Sequence, residues 1–341
     1  MKAVVWRGID RMVLDEWARP DLEAGWVAVR PEAAGICGSE VEGYLGRQPN
    51  RQPPLVMGHE FAGVVVETGP DVDAGWLGRR VAVNPIVSCR VCPLCAGGWR
   101  NLCARRSLIG VHRPGGFAEL VAAPEANLVP LPEGVGPRLG ALVEPLANGV
   151  HAAALAAGAP SVTGAAAVIG AGAIGLLALQ AAATASGSRL HVLELDPGRR
   201  ARAAALGGAA GHGSPDELLT AVQADTGGLG ADFVIDAVGR ESTRRLAVEA
   251  VRPGGRVVLL GLHDDVTGLS GHDLVRREVL VTGSYAYTDA DFATALALLA
   301  SRRAGIGELA AVQPLEATPA LFARLAAGPT PEVKLFVAPG A

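Results

Sequence analysis

The sequence predicts an α/β protein in which a β-rich first part is followed by a doubly wound parallel sheet. After about residue 150, alanine and glycine dominate, and buried apolar runs alternate with helical patterns, as in parallel sheets. Before that point the apolar runs are short and bounded by Gly, Pro or Asn, and frequent prolines exclude long helices except near 141–158. With 341 residues, 50% of them hydrophobic, the chain is long enough for about two domains.

The individual elements follow from these patterns. Strands are predicted in the first part at 27–30, 61–69 and 80–84, and in the second part at 165–170, 190–195, 231–239, 255–262 and 279–285. Helices are predicted at 173–185, 198–207, 242–251 and 289–301. The helix at 289–301 is expected to be the last, and a strand-like segment follows at 332–337.

Charge and hydropathy exclude several classes of function. A net charge of −4 and a pI near 6.0 give no electrostatic footprint for nucleic acid or an anionic membrane. The N-terminal residues have scattered charges and no apolar run typical of a signal peptide. The apolar stretch 164–185 is long enough to suggest a membrane span, but its glycine spacing favours a nucleotide-binding turn. We therefore expect a soluble, cytoplasmic protein.

Four of the five cysteines, Cys89, Cys92, Cys95 and Cys103, are spaced C-x2-C-x2-C-x7-C. Structural disulfides are rare in the cytoplasm, and a redox motif needs two cysteines rather than four. Four thiolates suit a tetrahedral zinc ion, so the spacing predicts a structural zinc site. A zinc-ribbon nucleic-acid binder is disfavoured by the acidic charge and by the absence of an accompanying aromatic platform.

The segment GAGAIG, residues 170–175, fits G-x-G-x-x-G between a predicted strand and a predicted helix. Its glycines would permit a tight turn, close approach to a pyrophosphate and helix–strand packing. Glu194 ends the next strand, where a carboxylate would bind the ribose hydroxyls and favour NAD, although Arg199 and Arg200 leave NADP open. A glycine-rich turn that binds nothing is the alternative. The predicted cofactor-binding residues are Gly170, Gly172, Ala173, Ile174, Gly175, Glu194, Arg199, Val238, Gly239, Gly261 and Leu262.

Three further stretches are ambiguous one by one: GICGSE with Cys37, GHEFAG with His59 and Glu60, and VEPLANGVHA with Glu144. Together with the cysteine cluster, GGFAEL and GAGAIG they occur in the order seen in one family. Over essentially its whole length the sequence resembles the zinc-dependent medium-chain dehydrogenases, which include alcohol, sorbitol and threonine dehydrogenases.

The resemblance implies a domain plan and two zinc ions. It implies a GroES-like catalytic domain at 1–150 with a zinc lobe at 88–103, a Rossmann NAD-binding domain at 151–285, and a segment at 286–341 that returns to the catalytic domain. The cysteine cluster would bind the structural zinc. Cys37 and His59 would bind a catalytic zinc, with Glu60 and Glu144 as acidic candidates.

The resemblance also implies catalytic roles. Ser39 matches a hydroxyl that takes the alcohol proton, and Glu40 stands where a carboxylate orients the zinc-binding histidine. Glu42 replaces a histidine that often ends the proton relay, so Glu42 either continues the relay or is a solvated surface residue. Pocket positions are expected at Tyr44, Arg113, Phe117 and Tyr287, although Arg113 could equally be a surface charge. Ala286 replaces an arginine common in polyol-oxidising relatives, so sorbitol is doubtful as a substrate.

The resulting hypothesis is an NAD-dependent zinc enzyme that transfers a hydride between a secondary alcohol, such as a polyol, sugar derivative or hydroxylated metabolite, and its ketone. An NADPH-dependent zinc reductase of C=C or C=N bonds is the alternative, and a non-catalytic dinucleotide sensor is a more remote one. We expect a homodimer or homotetramer that associates through the edge strand at 279–285.

Overall fold

The protein is described here by a computed structural model, which describes residues 1–158, 160–328 and 330–340. Contacts divide the chain into two compact units, and both are discontinuous. The first unit contains Met1–Glu144, Ala295–Ala300 and Glu308–Ala341, and the second contains Pro145–Thr294 and Ser301–Gly307. Contacts thus group residues 286–294 with the second unit, and the domain boundaries implied by the resemblance stay a prediction.

The strands follow one another in short, regularly spaced segments. They are β1 (Lys2–Gly8), β2 (Arg11–Glu16), β3 (Trp26–Gly35), β4 (Leu55–Val56), β5 (Glu60–Thr68), β6 (Arg80–Val83), β7 (Ile86–Val87), β8 (Ser107–Leu108), β9 (Val121–Pro124), β10 (Leu128–Pro130), β11 (Ala165–Ile169), β12 (Arg189–Leu193), β13 (Ala210–His212), β14 (Ala231–Asp236), β15 (Val251–Leu259), β16 (Leu280–Gly283), β17 (Val312–Pro314) and β18 (Phe336–Ala338).

The helices are concentrated in the second unit. They are α1 (Gly38–Tyr44), α2 (Pro93–Ala96), α3 (Pro137–Ala141), α4 (Val143–Ala156), α5 (Ala173–Ser186), α6 (Pro197–Gly207), α7 (Pro215–Thr226), α8 (Glu241–Ala250), α9 (Gly271–Arg276), α10 (Asp289–Ala300) and α11 (Thr318–Ala327). Single 3₁₀ turns occur at Ala74–Trp76, Arg100–Leu102, Glu125–Asn127 and Leu315–Ala317.

The first unit is built around a mixed sheet with the strand order β10-β6-β5-β3-β18-β17, and β9 also pairs with β3. The two long strands β3 and β5 run antiparallel and pair Gly35 with Glu60 at one end. β18, from near the chain's far end, pairs with β3 at Gly35. The start of β5 and the end of β3 therefore lie beside residues that are more than 270 positions away in sequence.

The second unit contains a six-stranded, fully parallel sheet with the order β13-β12-β11-β14-β15-β16. Every residue of β11 and of β14 is buried, as expected for central strands covered on both faces by helices. The predicted fold class is confirmed, and the strand predicted at 279–285 lies at an edge of this sheet as β16.

The structure corrects several sequence-based elements. The helix at 289–301 is not the last, because α11 follows it, and the segment predicted at 332–337 is a strand only at Phe336–Ala338. α7 and β13 were not predicted, since β13 is too short and glycine-rich to show alternation. The start of α7 could have been predicted, because Ser214 caps the helix and Pro215 occupies its first position. Within the described residues, no helix combines the length and hydropathy of a membrane span.

Candidate active site and metal-ligand clusters

Four thiols converge in the lobe that follows β7. The Sγ atoms of Cys89, Cys92, Cys95 and Cys103 all lie within 4.8 Å of one another. Specific Sγ–Sγ distances are 3.5 Å for Cys89–Cys103, 3.8 Å for Cys89–Cys95 and 4.0 Å for Cys92–Cys103. A tetrahedron with Zn–S bonds of about 2.3 Å has S–S edges of roughly 3.8 Å, so the thiols fit a zinc ion.

Local backbone geometry prepares one of these thiols, that of Cys89, as a ligand. Backbone N–H groups of Val91 and Cys92, together with the neighbouring thiols, lower the pKa of Cys89 to about 5. A thiol with that pKa is a thiolate near neutral pH, which is the form that binds metal. Gly98, at φ +87°, adopts the left-handed conformation at the turn before Cys103.

A buried arginine anchors the base of this lobe. Arg100 Nε donates to Ser88 Oγ at 2.8 Å, and Arg100 Nη2 donates to Asn127 Oδ1 at 2.9 Å. Asn127 Nδ2 in turn donates to the carbonyls of Asn84 and Ile86. The lobe is thus tied to its own neighbouring strands, independently of the other cluster.

A second cluster is formed by Cys37, His59 and Glu60, which each offer one ligand atom within 4.8 Å of the others. Cys37 precedes α1, and His59 and Glu60 stand at the start of β5. His59 and Glu60 are buried, whereas Cys37 is half-buried. A thiol, an imidazole and a carboxylate are all zinc ligands, so this donor set fits a zinc ion with room for a further oxygen ligand.

Glu40 forms hydrogen bonds with two residues of the Cys37 cluster, Cys37 and His59. One Glu40 oxygen lies 2.7 Å from His59 Nδ1 and accepts N–H bonds from Gly58 and His59, while the other accepts from Cys37 N at 3.0 Å. Burial opposes ionisation of Glu40, but His59, Arg51 and the N–H of Cys37 lower its pKa. An ionised Glu40 fixes the proton of His59 on Nδ1 and leaves Nε2 as the metal-binding nitrogen.

Lys334 holds the third member of the cluster. Its Nζ donates to both oxygens of Glu60, at 2.8 and 2.7 Å, and to Ile36 O at 3.2 Å. Burial alone would lower the pKa of Lys334, but Glu60, Cys37 and Glu40 raise it. Gly35 leaves the space for this pair, because a Cβ there would lie 2.5 Å from Glu60 Oε2.

Ser39 has an unexpected neighbour. Ser39 Oγ donates to Cys37 Sγ at 3.4 Å and accepts a hydrogen bond from Arg51 Nη2 at 3.1 Å. Glu42 instead accepts from Arg47 at 3.4 Å and is partly exposed. Within the described residues no hydrogen bond joins Glu42 to Ser39.

The other predicted residues are placed differently. Glu144 is buried in the first turn of α4, and among the described residues it is not part of the converging Cys37 group. Tyr44 and Phe117 pack against Phe322 in the core of the first unit, with Tyr44 Oη donating to Asp10 O. Tyr287 packs against Phe292, and Arg113 lies over Trp26. Packing buries the rings of the three aromatic residues, and their pocket roles stay predictions.

The glycine turn lies between β11 and α5 in the second unit. Gly170 has φ +90°, and a Cβ on Gly175 would stand 2.0 Å from Gly170 O, so neither position suits a larger residue. Glu194 follows β12, and its carboxylate accepts hydrogen bonds from Ala171 N at 2.8 Å and from Asp196 N at 3.0 Å. The acidic residue and the turn are thus brought together, as a dinucleotide site requires.

The remaining predicted cofactor residues follow the carboxyl ends of other strands in the same sheet. Ala173 and Ile174 open α5, and Arg199 lies in the first turn of α6. Val238 and Gly239 follow β14, and Gly261 and exposed Leu262 follow β15. A Cβ on Gly239 would stand 2.2 Å from the Gly261 backbone, so these two loops touch. Ligands of parallel sheets bind at this end of the strands.

Comparison with known proteins shows to which family this chain belongs. Residues 23–133 match the alcohol dehydrogenase GroES-like domain model, and residues 173–301 match the zinc-binding dehydrogenase model. L-Galactonate-5-dehydrogenase of Escherichia coli (strain K12) is 37% identical over 273 residues, which cover 80% of this chain and 79% of that protein. The chain belongs to the zinc-dependent medium-chain dehydrogenase family.

Other relatives agree with this assignment. Galactitol 1-phosphate 5-dehydrogenase of Escherichia coli (strain K12) is 30% identical, with 84% of each chain covered. The solved structure of an alcohol dehydrogenase from E. coli CFT073, complexed with NADH, superimposes with a TM-score of 0.88 at 26% identity and 99% coverage of both chains. The protein is therefore a zinc-type alcohol or polyol dehydrogenase that acts on a small molecule with a nicotinamide cofactor, and these predictions are confirmed.

Two residues near the Cys37 cluster, Lys334 and Arg51, were not predicted from the sequence. Lys334 had a weak signal, because a lysine within the apolar run 332–337 would be buried and would need a carboxylate partner. Arg51 had none, since it lies in a proline-rich stretch typical of an exposed loop. Only the fold places both of them beside the predicted ligands.

Proposed function

We propose that this dehydrogenase oxidises a secondary hydroxyl of a polyhydroxylated small molecule to a ketone and transfers the hydride to NAD. The convergence of Cys37, His59 and Glu60 carries the proposal. We assign a catalytic zinc to these three side chains and a structural zinc to Cys89, Cys92, Cys95 and Cys103. The curated relatives support a polyhydroxylated substrate, since L-galactonate and galactitol 1-phosphate both carry several hydroxyls.

The protein's own residues would perform three tasks. A zinc ion bound by this cluster would supply Lewis-acid polarisation of the alcohol oxygen. Glu40 holds the imidazole of His59 in one tautomer and orientation, and Lys334 holds the carboxylate of Glu60. Ser39, half-buried beside Cys37, would accept a hydrogen bond from the alcohol and begin proton removal toward solvent. Glu144 as an alternative ligand stays a prediction.

The second unit would bind the hydride acceptor. The N-terminus of α5 directs backbone N–H groups toward the pyrophosphate, and Glu194 would accept hydrogen bonds from the adenosine ribose. Because a 2′-phosphate would meet the Glu194 carboxylate, we propose NAD rather than NADP as the preferred cofactor. The cytoplasmic location and the dimeric or tetrameric state also stay predictions.

The test is zinc content together with activity. Wild-type protein should contain two zinc ions per chain and reduce NAD with a panel of polyols. Cys37→Ser should contain one, because the thiol cluster is an internal control, and should lose more than about 100-fold in kcat/KM, since even indirect partners of metal ligands contribute roughly 10–100-fold. Two zinc ions in Cys37→Ser, or full activity with one, would contradict the assignment.

A further inference from the structure

Arg51 is a buried cation that the fold alone does not neutralise. Only 4% of its surface is exposed. Its Nη2 donates to Ser39 Oγ, but its Nε has no hydrogen-bond partner. Within residues 1–158, 160–328 and 330–340, no carboxylate lies within ion-pairing distance of its guanidinium. A buried charge without a partner is strongly unfavourable, so such groups are normally paired or bind a ligand.

The carboxylate whose pKa Arg51 lowers already has other hydrogen-bond partners. Glu40 feels the charge of Arg51, but its oxygens accept hydrogen bonds from Cys37 N, Gly58 N and His59. Glu60 is held on both oxygens by Lys334. Neither carboxylate is therefore available to the Nε–H of Arg51, because Glu40 is hydrogen-bonded to His59 and Glu60 is paired with Lys334.

His112 also feels the charge of Arg51. Partial burial, Arg106 and Arg51 hold the pKa of His112 below its usual range. Gly43, in α1, leaves room for the arginine, because a Cβ there would stand 2.8 Å from Arg51 Cδ. Glycine within a helix is less stable than alanine, so the arginine is accommodated at some expense of helix stability.

The position relative to the reacting group defines the ligand. Ser39 bridges Arg51 and Cys37 through two hydrogen bonds, and both Cys37 and Ser39 are half-buried and so accessible from solvent. We propose that Arg51 determines substrate specificity by binding an anionic group, a carboxylate or a phosphate ester, on the polyhydroxylated substrate. A guanidinium carries its N–H donors in a planar fork that binds such oxygens in pairs.

This inference rests on the proposed function, because it places the anion within a few carbons of the hydroxyl that is oxidised. The substrate class is then a sugar acid or polyol phosphate rather than a neutral polyol. A neutral polyol would leave the guanidinium without an acceptor. It would therefore bind less tightly although it offers the same hydroxyls.

The test compares matched substrates on three variants. Each hexonate of a stereochemical panel is compared with its hexitol and with the hexitol 1-phosphate, using zinc-loaded protein. Equilibrium binding is measured in the presence of NADH, and kcat/KM is measured with NAD. The variants are Arg51→Met, Arg51→Lys and the control Arg47→Met, which removes an exposed arginine near the site.

We expect the wild type to prefer an anionic member of a matched set by roughly 10- to 100-fold, the usual range for a charged hydrogen bond. Because Arg51 also donates to Ser39, Arg51→Met should lower kcat/KM for hexitols as well, but it should lower kcat/KM for the anionic substrates more and so abolish the preference. Arg51→Lys should retain part of the preference, and Arg47→Met should retain it fully. Comparing the hexonate and the hexitol 1-phosphate of each set with the matched hexitol shows whether the bound anion is a carboxylate or a phosphate. If Arg51→Met does not fold, the wild-type preference and its partial loss in Arg51→Lys decide the matter.

Two failures are distinguishable. If hexitols are oxidised as well as their anionic counterparts, or if Arg51→Met keeps the preference, Arg51 is structural and the inference is wrong. If no alcohol in the panel reduces NAD although two zinc ions are bound, the proposed function fails instead. In that case anion binding by the wild type and its loss in Arg51→Met still test the role of Arg51.

Discussion

The thiol cluster and the Cys37 cluster both bring metal-ligand atoms within 4.8 Å, but they are assembled differently. The four thiols come from one short stretch and share one chemistry, and backbone N–H groups lower the pKa of one of them, Cys89. The Cys37 cluster combines three kinds of ligand, and two of these are held by Glu40 and Lys334. The ligands of the thiol cluster are close in sequence, so this cluster can form together with its metal. The Cys37 cluster requires the folded first unit. This difference is the one we expect between a structural zinc site and the catalytic site proposed above.

The strongest test of this comparison removes one thiol. In Cys103→Ser we expect the lobe 88–103 to unfold and the free energy of unfolding of the first unit to fall by more than about 5 kcal/mol. The reason is that zinc binding supplies roughly 10–16 kcal/mol to small zinc domains. Denaturant unfolding and zinc content measure both effects. The control is Cys37→Ser, which should leave the lobe folded, and equal destabilisation by the two variants would contradict the distinction.

A smaller effect should follow from removing the cation at the mixed cluster. In Lys334→Met, Glu60 keeps a buried carboxylate without its partner, so we expect the metal-free protein to lose about 3–5 kcal/mol of stability. Added zinc should restore more stability to Lys334→Met than to wild type, because zinc and Lys334 bind the same carboxylate. Thermal unfolding with and without zinc measures this. The double variant Lys334→Met/Glu60→Gln is the control, and it should show no such zinc-dependent gain.

The smallest effect is expected at Glu42. Because Glu42 pairs with Arg47 at the surface rather than with Ser39, Glu42→Gln should change kcat/KM by less than about twofold and leave its pH profile unmoved. The pH dependence of NAD reduction checks this. A shifted profile would place Glu42 in the proton relay and would bring the site closer to the histidine-containing relatives.

The sequence predicted those parts of the site that depend on local spacing. The thiol spacing, the GAGAIG turn and Glu194 were identified because each lies in a short motif with one physical reason. Lys334 and Arg51 were missed because their roles arise only when β18 and the loop before β4 fold against Cys37 and Ser39. The packing of Tyr44 and Phe117 against Phe322 was also not predicted, because a sequence position near a ligand does not fix the direction of a side chain.

The same distinction holds for the fold. Strand–helix alternation predicted the parallel sheet, since buried central strands such as β11 and β14 are continuously apolar. α11 and β17 were not predicted, because their short patterns become stable only by packing on the first unit's sheet and core. Tertiary contacts therefore decided the elements for which local preference was weak.

The pairing of Lys334 with Glu60, which are 274 residues apart, has a consequence for how the protein is made. During translation, the first 144 residues, which belong to the first unit, are synthesised early. In contrast, β17, β18 and Lys334 are synthesised only after nearly the whole second unit. Domains that are continuous in sequence can fold as they emerge, but pairings of large sequence separation must wait. The nascent chain would therefore hold a carboxylate without its lysine throughout most of translation, and active enzyme would appear only after the last segment is released.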